Sequence, residues 1–394
     1  MLTNNNSFFG GSMRHICIVT SKYPTNVDPT ALTFVQQLAW SIAEQVEKVS
    51  VICPLPVNQN REFCATEKEI EEHTATGKKV YVYHPRYFTL GQVNVAGFNT
   101  APITTSLFTR VVNKTIKGMK DKPEILYGHF FTPAGVTCCN LGKKFGIPAF
   151  IAYGESSPWT IDQLGRKRTK KMSSNVAGVV SVSSYNKVEL AETGVVEAEK
   201  IDIFPNGYLP SRFHPKNKKI AREKFGFPAD GFIVCFVGHF IERKGINILN
   251  QAMNRIKGAY LICAGYGNIK PTGDYLLYAD RVNPNDLADF YSAADVFALP
   301  TRNEGCCNAI IEAMACGLPI VSSYLPFNDD ILDETNSIRI DPTDVNAISE
   351  AIELLIKDSA KRELLRAGSL EKAKTLTLEA RSANILKFIE KRTK

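Results

Sequence analysis

Residues 295–323 read DVFALPTRNEGCCNAIIEAMACGLPIVSS, and this stretch predicts a strand, a loop, a helix and a second strand in succession. The run Asp295–Pro300 is apolar and ends at a proline, which is typical of a buried strand. The helix is expected to start near Asn308, because asparagine is favoured at helix N-caps, and to stop at Gly317. Strand–helix–strand units of this kind predict a parallel sheet that binds ligands at the carboxyl ends of its strands.

The loop and the helix each carry one carboxylate. Glu304 lies in the loop, and Glu312 lies about one turn into the helix, on a face that can look back at the loop. Backbone N–H groups at a helix N-terminus bind anions, and a carboxylate one turn further can accept hydrogen bonds from the two hydroxyls of a ribose. The pair therefore indicates a nucleotide-sugar site. A purely structural role is the alternative, since acidic residues also complement the helix dipole.

The alternation of predicted strands and helices continues in both directions along the chain. Residues 231–240 form a nearly continuous apolar run, and residues 14–54 form another strand–helix–strand unit. Residues 58–79 are polar and predict a loop. Because 394 residues exceed one ordinary hydrophobic core, the chain is expected to form two Rossmann-like, doubly wound α/β domains that face each other across a cleft.

The composition changes suggest where these domains begin and end. We expect a disordered leader over residues 1–12, which lacks the apolar core of a signal peptide. An N-terminal domain is predicted over residues 13–210 and a C-terminal domain over residues 211–375; the family resemblance given below implies that they bind the acceptor and the donor, respectively. The last segment, residues 376–394, predicts a helix that could cross back to the first domain.

Composition favours a cytoplasmic protein without membrane spans. The 44% hydrophobic and 22% charged residues are ordinary for a globular chain, and no apolar run approaches the roughly 20 residues that span a bilayer. The ten cysteines show no C-x-x-C spacing, and two pairs, Cys138–Cys139 and Cys306–Cys307, are adjacent in sequence. We interpret all of them as reduced thiols.

The net charge of +7 is concentrated in short basic runs, of which Arg166–Lys171 and Lys117–Lys122 are the clearest. Such runs form either a solvated face or a patch that contacts an anionic membrane peripherally. No helix–turn–helix, zinc-finger or aromatic–basic motif accompanies the charge, so a nucleic-acid partner is not expected.

Residues that follow predicted strands supply further candidates. Gly238 allows close backbone approach after the strand of residues 231–237, and Lys244 precedes a helix start where a diphosphate would meet both a cation and N–H groups. Arg243 is the second choice for that cation. In the first half, an acceptor hydroxyl is expected to enter near four residues, namely Phe34, His129, Tyr153 and Glu155.

Four segments together resemble the retaining glycosyltransferases of the two-domain GT-B fold, glycosyltransferase family 4 (glycosyl transferases group 1). They are IFPNGYLPSRF (203–213), VGHFIERKG (237–245), FYSAADVFALP (290–300) and EGCCNAIIEAMACGLPIV (304–321). The resemblance implies transfer of a hexosyl group from a nucleotide diphosphate sugar, most often linked to UDP, with retention of configuration. The acceptor would be a hydroxyl of a glycan, a glycolipid or a lipid-linked sugar.

The resemblance also implies roles for individual residues. Glu312 would hold the donor ribose, Glu304 would face hydroxyls of the transferred sugar, and Lys244 would neutralise the leaving diphosphate. Lys244 and Glu304 are thus the expected catalytic residues. The remaining expected donor-binding residues are Gly238, His239, Arg243, Gly305, Cys306, Cys307 and Asn308.

Three positions depart from the family pattern. The family often has arginine at the position of His239, so a second cation on the diphosphate would be absent or only partly charged near neutral pH, and Arg243 could compensate. Tyr153 stands where the family often has a histidine that touches the transferred sugar. Leu32 stands where many members have a glycine that allows close backbone approach.

No cofactor or metal is expected. A D-x-D motif is missing from any suitable loop, and the acidic run Asn328–Asp330 follows a strand at an unsuitable place. Charge on the leaving phosphate would be stabilised instead by Lys244 and the helix N-terminus. Alternative functions on the same architecture are a nucleotide-sugar epimerase or a pyridoxal-phosphate phosphorylase, and a non-catalytic sugar-nucleotide-binding protein is a third.

Overall fold

The computed structural model describes residues 13–95 and 98–393, so the leader expected over residues 1–12 lies outside the described residues. The chain divides into two compact units. The first unit comprises Met1–Val182, Asn186–Phe204 and Ser382–Lys394, and the second comprises Ser183–Tyr185 and Pro205–Arg381. The main division, between Phe204 and Pro205, lies a few residues before the boundary predicted after residue 210.

The strands of the first half run in the order β12-β11-β10-β9-β1-β2-β5-β4 in one sheet, in which every neighbouring pair is parallel except β4 with β5. Their bounds are β1 His15–Thr20, β2 Lys48–Ile52, β4 Glu69–His73, β5 Lys79–Tyr83, β9 Ile125–His129, β10 Ala149–Tyr153, β11 Val176–Ser181 and β12 Ile201–Ile203. Two short pairs lie outside this sheet, β3 Leu55–Pro56 with β6 Arg86–Tyr87 and β7 Asn94–Val95 with β8 Phe98–Asn99.

Helices connect these strands, as the alternating sequence pattern predicts. Their bounds are α1 Thr33–Ala43, α2 Ala101–Gly118, α3 Val136–Phe145, α4 Trp159–Leu164, α5 Arg166–Met172 and α6 Ser184–Glu192. All residues of β1 are buried, as expected for a strand in a parallel sheet that is covered on both faces.

The loop predicted over residues 58–79 is wrong in part, because β4 forms there as an antiparallel edge strand. The sequence of β4 is EIEEH, in which Ile70 is the one apolar residue. It therefore lacks the alternation of apolar and polar residues that predicts a strand. The strand is held by Glu72, whose carboxylate accepts hydrogen bonds of 2.8 Å from the side chains of Tyr23, Gln36 and Trp40. Long-range polar contacts, rather than hydrophobic periodicity, therefore fix this strand.

The second unit contains a wholly parallel sheet with the strand order β15-β14-β13-β16-β17-β18. Its strands are β13 Phe232–Val237, β14 Ala259–Ala264, β15 Leu276–Asp280, β16 Val296–Leu299, β17 Ile320–Ser323 and β18 Ser337–Ile340. Its helices are α7 Lys218–Phe225, α8 Ile246–Met253, α9 Leu287–Ser292, α10 Asn308–Ala315, α11 Val345–Lys357 and α12 Ser359–Lys374. The last helix, α13 Leu378–Thr393, begins in the second unit and continues in the first.

The stretch of residues 295–323 folds as predicted into β16, a loop, α10 and β17. The helix ends before Gly317, which has a φ of 78°, so the glycine stop is confirmed. Cys307 rather than Asn308 occupies the N-cap position, and it makes no side-chain capping hydrogen bond. The two strands place the loop of Glu304 at the carboxyl edge of the sheet.

The predicted fold class of two Rossmann-like α/β domains is confirmed for the architecture of each unit. Buried apolar side chains from both faces of the second sheet form one core, which includes Phe236, Phe297 and Ile310. The first unit has a separate core around Phe108, Leu126 and Ile151. Among the described residues, no helix is both long enough and apolar enough to cross a lipid bilayer.

Candidate active site

Lys244 and Glu304 form an ion pair at the carboxyl edge of the second sheet. Lys244 ends a short 3-10 turn that follows β13, and Glu304 lies in the loop between β16 and α10. The Nζ atom of Lys244 is 2.5 Å from Oε1 of Glu304, and both side chains are only 12% exposed. The structure thus brings the two predicted catalytic residues together, although they are 60 positions apart in the sequence.

Two further donors reach the same carboxylate oxygen of Glu304. The hydroxyl of Thr301 donates a hydrogen bond of 2.8 Å to Oε1, and the guanidinium of Arg243 lies 3.3 Å away. Arg243 also donates to the backbone carbonyl of Asn303, so it is anchored to the loop that carries Glu304. The site therefore holds two cations next to one carboxylate.

Lys244 is protonated at neutral pH. Burial alone would lower its pKa, but the nearby Cys307 and Glu304 raise it above the usual lysine value. Burial also raises the pKa of the Cys307 thiol to about 11, so this thiol is neutral near pH 7. Glu304 is therefore the partner that keeps the lysine charged in a partly desolvated place.

Gly245 positions Lys244 by allowing two chain segments to touch. It has a φ of 74°, in the left-handed region, and it directly precedes α8. A Cβ atom built on Gly245 would lie 2.0 Å from the carbonyl oxygen of Pro300, the residue that follows β16. The glycine thus lets the turn of Lys244 pack against the segment that leads to Glu304.

We predict that Gly245→Ala destabilises the protein by about 1–3 kcal/mol, since the methyl group would overlap the Pro300 carbonyl. It should also weaken nucleotide binding, because the turn that carries Lys244 would move. Gly258→Ala is the matched control, because Gly258 has a similar φ of 76° and nothing within 4 Å of its added Cβ. Thermal unfolding and nucleotide titration of both variants measure the difference. Equal melting temperatures would show that the overlap is relieved without cost.

The N-terminus of α10 is the expected anion site, and Asn206 holds it in place. The side-chain amide of Asn206 donates to the backbone carbonyl of Cys306 at 3.0 Å and to Oδ1 of Asn308 at 2.8 Å. The loop from Gly305 to Asn308 therefore has a fixed course before the helix begins. Sequence reasoning did not select Asn206 as a site residue, because its partners lie about 100 positions further along the chain.

Glu312 lies one turn into α10, in a setting that makes its charge sensitive to pH. The hydroxyl of Tyr291 donates a hydrogen bond of 3.1 Å to its Oε2. Burial raises the pKa of Glu312 to about 7, while Tyr291 and the charge of Arg212 oppose that shift. The carboxyl group is consequently easier to protonate near neutral pH than an ordinary glutamate.

His239, Tyr266 and Arg281 form an exposed array that follows three neighbouring strands. Nε2 of His239 lies 3.1 Å from the hydroxyl of Tyr266, and the guanidinium carbon of Arg281 lies 3.9 Å from the centre of the tyrosine ring. Burial and the nearby charge of Lys244 lower the pKa of His239, so the imidazole is neutral near pH 7. Sequence reasoning did not select Tyr266 or Arg281, since no motif joins them.

The glycines around Tyr266 have a packing role. A Cβ on Gly265 would lie 1.9 Å from the carbonyl oxygen of Gly238, and one on Gly267 would lie 2.3 Å from that of Phe240. The loop after β14 therefore lies directly against the loop after β13, where Gly238 and His239 sit. Gly265 and Gly267 therefore allow the two loops to pack closely against each other.

The first unit brings together only part of the predicted acceptor-side set. The rings of Phe34 and His129 lie 5.6 Å apart, and His129 also meets Phe130 edge-on. Tyr153 is completely buried; its hydroxyl donates to Glu189 at 3.1 Å, and its ring packs against Phe131. Tyr153 was expected to contact a ligand, but its side chain points into the core instead.

Glu155 is the one member of that set that lines a large pocket within the first unit, among the residues described. The backbone N–H groups of Phe131 and Gly154 donate to its carboxylate at 2.8 and 3.0 Å. Burial raises the pKa of Glu155 to about 7, against the effect of these hydrogen bonds. The side chain thus accepts two backbone hydrogen bonds and has a pKa close to neutral pH.

The first-unit pocket encloses about 840 Å³ and lies at the carboxyl ends of β1, β2 and β10. Hydroxyl, amide and aromatic groups dominate its wall. These include Tyr23, Asn60, Phe63, Tyr87, Trp159 and Thr160. The hydroxyl of Thr160, one of these residues, is buried and has no hydrogen-bond partner among the described residues.

The family model described as Glycosyl transferases group 1 matches residues 231–358. The match runs from the start of β13 to the end of α11 and contains Lys244, Glu304 and Glu312. The residues that the geometry brings together thus lie within the matched segment.

The chain is also similar to a relative over most of its length. The "Putative teichuronic acid biosynthesis glycosyltransferase TuaC" of Bacillus subtilis (strain 168) is 25% identical over 354 residues, which are 85% of this chain and 87% of that protein. The similarity therefore extends through both units.

Two solved structures share the fold. Sucrose-phosphate synthase from Thermosynechococcus elongatus aligns with a TM-score of 0.76 and 20% identity, over 96% of this chain and 98% of its own. Anabaena Alr3699/HepE in complex with UDP-glucose aligns with a TM-score of 0.70 and 15% identity, over 96% and 99% of the two chains. The chain is a transferase enzyme with the GT-B fold, and its residues 231–358 match the Glycosyl transferases group 1 model.

Proposed function

We propose that the protein transfers a hexosyl group from a UDP-linked sugar to a hydroxyl of a glycan, a glycolipid or a lipid-linked acceptor, with retention of configuration. The observation that carries this proposal is the Lys244–Glu304 ion pair beside the N-terminus of α10, with Glu312 one turn further. The structure of HepE in complex with UDP-glucose supports the donor class, and the similarity to the glycosyltransferase TuaC supports glycosyl transfer.

The donor diphosphate would bind between Lys244 and the first-turn N–H groups of α10. A lysine that is protonated and nearly buried interacts strongly with a phosphate, because little water screens its charge. The first-turn backbone N–H groups would add hydrogen bonds in a fixed direction. Glu312 would accept the ribose hydroxyls, which favours its ionised form.

Glu304 would change partners when the donor binds. Without donor its carboxylate contacts Lys244 and Thr301. A diphosphate draws the lysine charge toward itself, and the hydroxyls of the transferred sugar can then donate to Glu304 in its place. Binding would thus exchange one ion pair for a lysine–phosphate pair and new hydroxyl–carboxylate hydrogen bonds.

Catalysis follows from where charge develops. Breaking the anomeric C–O bond leaves negative charge on the diphosphate while the sugar becomes oxocarbenium-like. Lys244 and the N-terminus of α10 are fixed before reaction, so they stabilise that charge without reorganisation. Retention of configuration is inferred from the family resemblance.

The pocket of the first unit is the proposed acceptor site. Its aromatic side chains suit the apolar faces of sugar rings, and its hydroxyl and amide groups suit sugar hydroxyls. Glu155 would accept a hydrogen bond from an acceptor hydroxyl, since the carboxylate is already held by two backbone N–H groups.

A thermal-shift series with UDP, GDP, ADP and their glucose or mannose conjugates tests the donor. A ligand present at 100 times its Kd should stabilise the protein by about 2.7 kcal/mol. We expect the uridine compounds to give the largest shifts. A larger shift with a guanosine compound would overturn the uridine assignment, and no shift with any compound would overturn the donor site. Incubation with donor alone separates transfer from epimerisation, because only an epimerase changes the sugar without an acceptor.

We further propose that transfer needs no metal ion. Lys244, Arg243 and the α10 N-terminus supply the positive charge that a divalent cation supplies elsewhere. Excess EDTA should therefore leave the initial rate of donor turnover unchanged. Loss of activity in EDTA with recovery on adding Mg²⁺ or Mn²⁺ would contradict this.

A further inference from the structure

Large apolar side chains are exposed together on one part of the first unit. They are Phe88, Leu90, Val93, Phe98, Ile103 and Trp159, with exposures between 38% and 69%. We call this set the apolar rim. Five of the six fall within sixteen consecutive residues, whereas the remaining large exposed apolar residues of the described chain are scattered. A cluster of this kind marks an interaction surface rather than ordinary surface composition.

The backbone beneath the apolar rim is held by buried hydroxyl groups. Thr104 accepts a hydrogen bond from the N–H of Leu90 at 3.2 Å and donates to the carbonyl of Gly91 at 2.6 Å. Thr100 accepts from the N–H of Val93 at 3.1 Å. The first turn of α2 thus fixes the segment, so its apolar side chains are presented outward by a defined structure.

A positively charged groove of about 690 Å³ lies next to the rim. Its exposed cations are Arg110 from α2, Lys144 from α3, and Arg168 and Lys171 from α5. We call these four residues the basic groove. No aspartate or glutamate lines it, and among the described residues none of the four forms an ion pair with a carboxylate.

The helices around the groove account for the net positive charge of the protein. Helices α2, α3, α4 and α5 together contain ten lysine or arginine residues and one acidic residue, Asp162. That aspartate pairs with Arg166 at 2.6 Å, which leaves the rest of α5 uncompensated. Since the whole chain has a net charge of +7, its remaining segments are close to neutral.

The apolar rim and the basic groove are adjacent because they share two helices. In the first turn of α2, Thr104 lines the first-unit pocket while its neighbour Thr105 lines the basic groove. Helix α4 begins at Trp159 of the rim and ends at Leu164 in the groove. Asn99, next to Phe98, donates to the carbonyl of Gln163 at 2.5 Å and ties the two parts together.

We propose that the apolar rim and the basic groove together dock the first unit onto a bilayer that contains anionic phospholipids. The aromatic and aliphatic side chains of the rim would enter the interfacial layer, and the four cations would meet phosphate headgroups. Trp159 belongs to the rim and also lines the first-unit pocket, so that pocket would open at the lipid surface. Membrane docking goes beyond the proposed transferase activity. The role of the pocket as an acceptor site, in contrast, rests on the proposed function.

Charge and polarity together favour a bilayer over other partners. A nucleic acid or an acidic polymer would account for the cations but leaves six exposed apolar side chains without a role. An apolar protein surface would account for the rim but leaves four cations without counter-charges. An anionic membrane provides both partners in adjacent layers.

Vesicle co-sedimentation of the full chain tests the proposal. Binding is expected to phosphatidylcholine vesicles that contain phosphatidylglycerol and to be much weaker with phosphatidylcholine alone. The double variant Arg168→Gln/Lys171→Gln should bind anionic vesicles roughly thirty-fold less tightly, which corresponds to about 1 kcal/mol for each basic residue. Its deficit should shrink in high salt, because salt screens these charges.

A second double variant, Phe88→Ser/Phe98→Ser, tests the apolar rim. Both rings are exposed and neither lines the first-unit pocket, so folding and basal turnover should not change. Vesicle affinity should fall roughly tenfold or more for each ring, and this loss should persist in high salt. The control for Arg168→Gln/Lys171→Gln is Lys391→Gln/Lys187→Gln, which removes the same number of charges outside the basic groove. It should bind vesicles like the unaltered protein.

Tryptophan fluorescence shows where the membrane lies, because the chain contains only Trp40 and Trp159. Brominated lipids in anionic vesicles should quench the unaltered protein, and Trp159→Phe should remove that quenching while binding persists. Equal quenching in Trp159→Phe would contradict the assignment of the apolar rim as the part that enters the membrane.

Absence of vesicle binding, or undiminished binding by the Arg168→Gln/Lys171→Gln variant, would overturn the proposal. Retention on heparin without vesicle binding would assign the groove to a dissolved polyanion instead. None of these measurements uses a sugar donor, so their failure leaves the transferase proposal untouched.

Discussion

Replacement of Lys244 by alanine is expected to lower turnover by about 10²–10³-fold, the typical effect of removing one fixed electrostatic contact to the transition state. The effect should be large because Lys244 is nearly buried and directly paired with Glu304, whereas Arg243 lies further from that carboxylate and is more exposed. Initial rates of nucleotide release, at saturating donor and acceptor, measure it. Donor affinity should fall as well, since the lysine would contact the diphosphate before reaction.

Lys257→Ala is the control for this variant, because Lys257 is an exposed lysine of the same unit. It should keep full turnover. Both variants should be compared by thermal unfolding, because Lys244→Ala also leaves Glu304 without its nearest cation. Normal turnover in a folded Lys244→Ala protein would show that the diphosphate binds elsewhere.

Replacement of Glu312 by alanine should weaken binding of the nucleotide sugar about 10- to 100-fold, the range expected for hydrogen bonds to a charged acceptor. Turnover at saturating donor should change much less, because the ribose lies away from the bond that breaks. Isothermal titration with the donor measures the affinity. Glu350→Ala, an exposed glutamate on α11, is the control and should bind normally.

The same residue predicts a pH dependence of donor affinity. Burial raises the pKa of Glu312 to about 7 in the ligand-free protein, so a fall in pH below 7 protonates the group that the ribose hydroxyls need. Affinity should therefore rise as the pH increases through 7 and level off above it. Glu312→Gln should bind weakly with no such rise. A nucleotide sugar suits the test, because its diphosphate diester does not titrate near neutrality.

Local pattern was enough to predict the elements that carry the candidate site. The apolar runs of β13 and β16 and the stop at Gly317 fix where strands and helices begin and end, and parallel connection then brings the strand ends to one edge. This is why Lys244, Glu304 and Glu312 could be selected before their positions were seen. Their individual roles stay predictions until the variants are measured.

What the sequence did not predict depends on contacts between distant residues. The partners of Asn206 lie about 100 positions away, and no periodicity records them. Strand β4 has a polar composition and exists because Glu72 receives three side-chain hydrogen bonds. A position at a strand end also does not say which way the side chain points, so Tyr153 was expected to meet a ligand and instead lies in the core.

The ion pair between Lys244 and Glu304 has a consequence for how the enzyme distinguishes its donor from the spent nucleotide. A nucleoside diphosphate alone would attract the lysine and leave Glu304 without its nearest counter-charge. It carries no transferred sugar whose hydroxyls could donate hydrogen bonds to that carboxylate. An intact nucleotide sugar brings hydroxyl groups that can compensate that loss. We therefore expect the unpaired Glu304 to oppose the attraction between Lys244 and the free diphosphate, and the resting pair would re-form by itself when the product departs.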